Sequence, residues 1–161
     1  MRWWAGALCL VVMAGCGKPP AKVEGDYVGY IGGEYSNVKM GLKVGLKRTD
    51  SALFGKGDVT YDAVNLMLSQ AEIRELHEAM RDNSKRPPTT FTTEFELTGS
   101  LNGDSFKLHL KPAAPARFEV KMTGTYSDAS KGGPKLGGDA EIWREGKKVD
   151  TRSFTLKPVT P

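Results

Sequence analysis

Val38-Lys39-Met40-Gly41-Leu42-Lys43-Val44-Gly45-Leu46-Lys47 alternates without a break: each even-numbered residue is apolar and each odd-numbered one is lysine or glycine. Successive side chains of a strand point to opposite faces, so period two marks a strand with one buried and one solvated face, as in antiparallel sheet. The same period recurs along the chain. Phe91, Phe95, Leu97 and Leu101 share a parity against Thr92, Glu94, Glu96 and Thr98. Phe106, Leu108 and Leu110 alternate with Lys107, His109 and Lys111, and Phe118, Val120 and Met122 with Glu119, Lys121 and Thr123. Asn102-Gly103 between two such runs is a strong hairpin signal, and Glu145-Gly146 is a second. The pattern predicts seven or eight strands, near 26–32, 36–48, 52–62, 90–101, 104–111, 116–126, 137–144 and 149–157.

One segment departs from this period. Ser69-Gln70-Ala71-Glu72 has the form of a capping box, in which the serine caps a helix start and the glutamate reaches back to it. Ile73, Leu76, Ala79 and Met80 follow on one helical face, and Pro87-Pro88 ends the segment, which predicts a helix over 69–83. That helix would pack over a barrel mouth or shield part of the sheet's outer face. Consecutive hairpins with one inserted helix favour a mostly all-β fold, an antiparallel up-and-down barrel, because closure removes exposed sheet edges. A two-layer β-sandwich is the alternative. Gly25-Asp26-Tyr27 and Thr123-Gly124-Thr125-Tyr126 resemble segments of lipocalin-like and avidin-like barrels, although the lipocalin start carries Trp where Tyr27 stands. The resemblance spans these seven residues, implies a barrel and implies no ligand.

The start of the chain has a different character. Arg2 is followed by an uncharged, apolar or small stretch from Trp3 to Met13, then Ala14-Gly15-Cys16 and the polar Gly17-Lys18-Pro19-Pro20. This is the tripartite pattern of an export signal, and it is shorter than the roughly 20 apolar residues that span a bilayer. Met13-Ala14-Gly15-Cys16 resembles the lipobox of bacterial lipoproteins, with Met where Leu is usual. The resemblance implies cleavage after Gly15, with a thioether-linked diacylglycerol on Cys16 and an acyl chain such as palmitate on its amine. Two or three chains exceed what stable anchoring requires. Gly17 in place of Asp implies the periplasmic leaflet of the outer membrane. The expected organisation is a signal over 1–15, a lipidated tether over 16–24 reaching at most about 30 Å, and one barrel-like domain over 25–158.

Removing residues 1–15 leaves 146 residues, enough for one domain with a substantial core. Cys9 departs with the signal and Cys16 is lipidated, so a disulfide, a thiolate nucleophile or a cysteine metal site is not expected. The net charge of +4 becomes +3 without Arg2, a mild bias, and export makes nucleic acid an improbable partner.

His77 falls on the polar side of the predicted helix and His109 on a solvated strand face, and neither has an acid or serine at triad or metal-site spacing in the sequence. Glu94 and Glu96 lie on an outward parity. Gly55-Lys56-Gly57-Asp58 reads as a bulge or a close backbone approach within a strand. Lys131-Gly132-Gly133-Pro134-Lys135-Leu136-Gly137-Gly138 lacks the P-loop pattern and reads as a hairpin loop. Lys39, Lys43 and Lys47, extended by Arg48, put positive charge on one strand face, either against an anionic membrane or as a guard against aggregation. Trp143, the one tryptophan left after signal removal, is either packed at the barrel rim or an exposed anchor for a partner.

The expectation is a non-catalytic lipoprotein without cofactor or metal, held to the bilayer through acylated Cys16 and acting by contact with another envelope protein. The alternative is a carrier of one small apolar ligand in the lumen, as eight-stranded barrels can be. The bulky inward set Met40, Phe91, Phe95, Phe106, Phe118 and Met122 favours a filled interior, hence the first.

Overall fold

Each alternating segment pairs with the next in chain order and the last pairs with the first, which closes the sheet. In this computed structural model, which describes residues 23–32, 40–63, 66, 68–79, 89–129 and 133–159, the strands are β1 Gly25–Ile31, β2 Met40–Thr49, β3 Ala52–Asp62, β4 Thr90–Asn102, β5 Ser105–Pro112, β6 Phe118–Ala129, β7 Gly133–Arg144 and β8 Lys147–Pro158. One helix, α1 Gln70–Ala79, lies between β3 and β4. All eight neighbouring pairs are antiparallel, β1 with β8 included. The fold is the up-and-down barrel with eight strands; the sandwich alternative is wrong, because a sandwich would leave edges where β1 and β8 instead exchange backbone hydrogen bonds over Tyr27–Ile31 and Phe154–Pro158.

The inward parity is the one the alternation assigns. Met40, Leu42, Val44, Leu46, Phe91, Phe95, Leu97, Leu101, Phe106, Leu108, Leu110, Phe118, Val120 and Met122 are all buried in a single cluster. Aromatic rings interlock across the lumen. Tyr61 meets Phe118 edge-on with centroids 5.0 Å apart, and Phe106 meets Phe154 at 6.0 Å. All four rings are 6% exposed or less, as expected of interiors that pack to crystal-like density.

The hairpin turns follow their sequence signals. Glu145 and Gly146 both take positive φ, 48° and 77°, as a type I′ connection requires. At the other predicted turn the loop is Gly103-Asp104, with Asn102 still paired to Ser105; glycine at the first central position, φ 61°, suits a II′ turn. The reading of residues 131–138 as a loop is corrected for 133–138, since β7 already begins at Gly133 and Gly133–Gly138 pair with Ala129–Gly124, while Lys131 and Gly132 lie outside the described residues. A Cβ on inward-facing Gly124 would stand 2.1 Å from the Gly137 carbonyl oxygen, so this glycine marks close strand approach and opens no space in the lumen.

Antiparallel order gives the barrel two distinct ends. The chain enters β1 at one of them, together with the β2–β3, β4–β5 and β6–β7 turns and Pro158. Val23 is fully buried there, in the same cluster as the lumen. At the other end α1 closes the mouth. Its capping box forms as the sequence predicts: the Ser69 N–H and Oγ both donate to the Glu72 carboxylate at 2.8 Å, and the Glu72 N–H donates to Ser69 Oγ at 3.3 Å. Leu76 and the preceding Leu66 are buried and Ile73 is partly so, whereas Ala79 is exposed, which narrows the predicted apolar face. Met80 and the rest of the predicted 69–83 helix lie outside the described residues. Two arginines pin the helix to strand ends. Arg144 donates to the Leu66 carbonyl at 2.8 Å and pairs with Glu72, and Arg117 pairs with Glu75 at 2.8 Å.

Candidate functional site

With the lumen filled, the side chains able to meet another molecule are on the outer wall. On the β5–β6–β7 wall the registers set His109 opposite Lys121, Lys121 opposite Glu141, and Glu119 opposite Trp143. A register shift between Ile142 and Trp143 falls at the end of β7, and such irregularities re-aim a side chain. Trp143 is half-buried. Its indole N–H donates to Glu141 Oε2 at 3.1 Å, and Lys121 Nζ lies 4.0 Å from the ring centroid, within cation–π reach. Lys148 donates to Glu141 at 3.1 Å. These hydrogen bonds from Lys148 and Trp143, with the Lys121 charge beside them, hold the Glu141 carboxyl below the usual carboxylate range.

A groove of about 430 Å³ runs beside the indole. Pro112, Ala116, Phe118 and Trp143 give it an apolar floor, and Lys111, Arg117, Glu119 and Glu145 a charged rim. At its edge His109 Nε2 contacts the Glu119 carboxylate. Glu119 is ten residues away in sequence, outside triad or metal-site spacing, and the β5–β6 pairing carries it next to His109. The pair is exposed, 40% and 31% by side chain, where such contacts contribute little to stability. The arrangement can stack against a planar or apolar group and pair with charges of either sign around it. Among the described residues no three His, Cys, Asp or Glu side chains converge on a cation site.

The remaining predicted residues are dispersed. Lys43 and Lys47 are exposed on the outside of β2, away from Trp143 on β7, since β2 and β7 are three strands apart in the closed order. Lys39 and Cys16 lie outside the described residues. Arg48 does not extend the lysine row: it takes the inward parity at the strand end, its Nε donating to the Asp50 carbonyl at 2.5 Å and its N–H to Glu24 at 3.2 Å. Lys43 stands opposite Asp58, so the row is partly neutralised, and Lys47 stands opposite Phe54. Sequence reasoning missed Phe54, which is 40% exposed in an otherwise charged setting; its signal was an aromatic on the polar parity of β3. It also missed Lys121 and Glu141, whose roles depend on the β6–β7 register. Two further grooves mark the outer wall. One of about 670 Å³ is bordered by Lys56, Asp58, Glu94, Glu96 and Lys111. The other, of about 730 Å³, surrounds Phe54. No protein-family model, curated protein or solved structure matches the chain.

Proposed function

We propose that this chain is a lipoprotein of the bacterial envelope, anchored through acylated Cys16 in the periplasmic leaflet of the outer membrane, that works by non-catalytic contact with another envelope protein. The observation that carries the reading is the contrast between interior and exterior. Phe91, Phe95, Phe106, Phe118, Phe154, Met40 and Met122 fill the lumen at 6% exposure or less, while Trp143 stands half-exposed over an apolar-floored groove outside. Aromatic residues beside a small desolvatable pocket with a charged rim are what protein-binding hot spots are made of. A partner would cover the indole and exchange ion pairs with the groove's rim.

Site-specific photo-cross-linking from positions 111, 117 and 143 of the membrane-anchored protein tests this. One dominant protein adduct is expected, lost when Trp143→Ala is combined with the position-117 cross-linker. Absence of any protein adduct from all three positions would overturn the reading. Intact-mass analysis of the same material should show the acyl mass, and Cys16→Ser should abolish both acylation and processing.

The closed eight-stranded barrel favours a second reading, carriage of a small apolar ligand. Against it stands the packing of the lumen, since ligand pockets usually hold about 300 Å³ or more. Titration with fatty acids, haem and hydrophobic dyes should leave Trp143 fluorescence and the melting temperature unchanged. Saturable micromolar binding that raises the melting temperature would move the function to the carrier.

A further inference from the structure

Four of the five large apolar side chains exposed among the described residues, Val28, Tyr30, Phe54 and Val159, fall on one wall of the barrel, β8–β1–β2–β3. The fifth, Val149, lies near the start of β8 at the helix end. Four lysines interleave with them. Val28 stands between Lys43 on β2 and Lys157 on β8, Phe54 is opposite Lys47, and Lys56 follows two residues along β3. The carboxylates on these four strands are Asp26, Asp58, Asp62 and Asp150, against eight lysines and arginines, so the wall keeps an excess of positive charge. Around Phe54, Gly25, Gly45 and Gly55 contribute no side chains to the groove, and the ring borders a depression. Val159 is tied to this wall by its N–H, which donates to the Asp26 carbonyl at 2.8 Å.

The same wall meets the end where the chain enters. Val23 is fully buried and Gly25 starts β1. On the lipoprotein reading, on which this inference rests, Cys16 precedes Val23 by seven residues, a reach of about 25 Å at most. The entry end is therefore held near the bilayer, which brings the wall beside it within reach of the lipid. Exposed aromatic and aliphatic groups set among lysines are the chemistry that favours an anionic interface, where apolar burial and attraction to acidic headgroups act together.

We propose that the β8–β1–β2–β3 wall lies on an anionic bilayer surface, with Phe54 seated at headgroup depth. The Trp143 groove, on the opposite wall, then faces the aqueous side and is open to a partner.

The test uses the full chain reconstituted in vesicles of phosphatidylethanolamine and phosphatidylglycerol containing lipids brominated high on the acyl chain. A single tryptophan is introduced by Phe54→Trp, or by Lys107→Trp on exposed β5 of the opposite wall as control, each in a Trp143→Phe parent whose own signal is subtracted. Trp at 54 should be blue-shifted and quenched, and the control should be neither. Replacing Lys43 and Lys157 by Glu should weaken the quenching at position 54 without altering acylation. Equal quenching at the two positions would overturn the proposal, as would shielding of position 54 only after other envelope proteins are added. Intact mass on the same sample separates the two readings. Acylated protein with an unquenched position 54 sinks the docked wall and leaves the anchor. Unacylated protein sinks the anchor, and the quenching at position 54 still decides the wall.

Discussion

Gly57 faces the lumen between Leu53 and Val59, yet a Cβ placed on it would lie 1.9 Å from the Lys43 carbonyl oxygen and 2.8 Å from Val44 Cα. Its φ lies outside the left-handed region, so the bar to a side chain is the neighbouring strand, not the torsion angle. Real Cβ contacts stay above 3.0 Å, so Gly57→Ala must part β2 from β3 by about 1 Å. In an open sheet an outer strand could slide away, but here every strand is paired on both sides, and the displacement must break bonds or spread round the ring. Overpacking strain of about 1–3 kcal/mol and two weakened ladder bonds at about 0.5–1.5 kcal/mol each give a loss of about 4 kcal/mol. For a domain of this size that corresponds to a fall of about 10–15 °C in melting temperature. The control is Gly137→Ala on the outward parity of β7, where the nearest atom is 3.5 Å away; replacing glycine within a strand there should be neutral or stabilise by up to about 1 kcal/mol. Thermal and urea unfolding followed by far-ultraviolet circular dichroism measures both. If Gly57→Ala and Gly137→Ala melt together, inward glycines are not the corners that let this barrel curve, and the argument from close approach fails.

Further expectations concern the helix end and the titrating groups. Leu76→Asp places an unpaired charge at a site 5% exposed in the native protein and should destabilise by about 3–5 kcal/mol; a wild-type urea midpoint would show that α1 is peripheral. Arg144→Ala leaves the Leu66 carbonyl and the Glu72 carboxylate without this partner and should cost about 2–3 kcal/mol by the same measurement. Burial tends to raise the Glu72 carboxyl, but hydrogen bonds from Ser69 and Arg144 outweigh it and hold the group below its ordinary range. A depressed carboxylate contributes stability above its ordinary value and loses it as pH falls through the folded value, so Arg144→Ala should flatten the acid limb of stability against pH. Burial, with Tyr126 nearby, pushes the Tyr27 phenol up to about 12. The protonated form is the one folding favours, so this contribution is intact below pH 10.0 and lost as pH rises through about 12; Tyr27→Phe should remove that alkaline loss, and an unchanged alkaline limb would count against it.

The strands, their inward faces, the turn at Glu145-Gly146 and the capping box at Ser69–Glu72 were all legible in the chain, because each depends on neighbours two to four residues away. Alternation from Met40 to Lys47 names the buried face directly, since strand geometry admits only two. Local signals failed where the cause was not local. Gly133–Gly138 looks like a loop by composition and is a strand because β6 pairs with it. Arg48 looks like part of a lysine row and instead turns to its own hairpin, where β2 ends.

The outer wall was beyond the sequence for the same reason. His109 and Glu119 are ten residues apart in sequence and touch across a hairpin whose register no motif encodes. Trp143, Lys121, Glu141 and Lys148 converge from three strands, and Val28, Phe54 and Val159 share a wall only because β1 pairs with both β2 and β8. By itself the sequence determined which face of each strand avoids water, as burial of apolar surface follows side-chain identity at each position. Which outward residues become neighbours, and hence where a partner or a membrane could be met, was decided only by closure and register, because those depend on backbone pairing between segments distant in the chain.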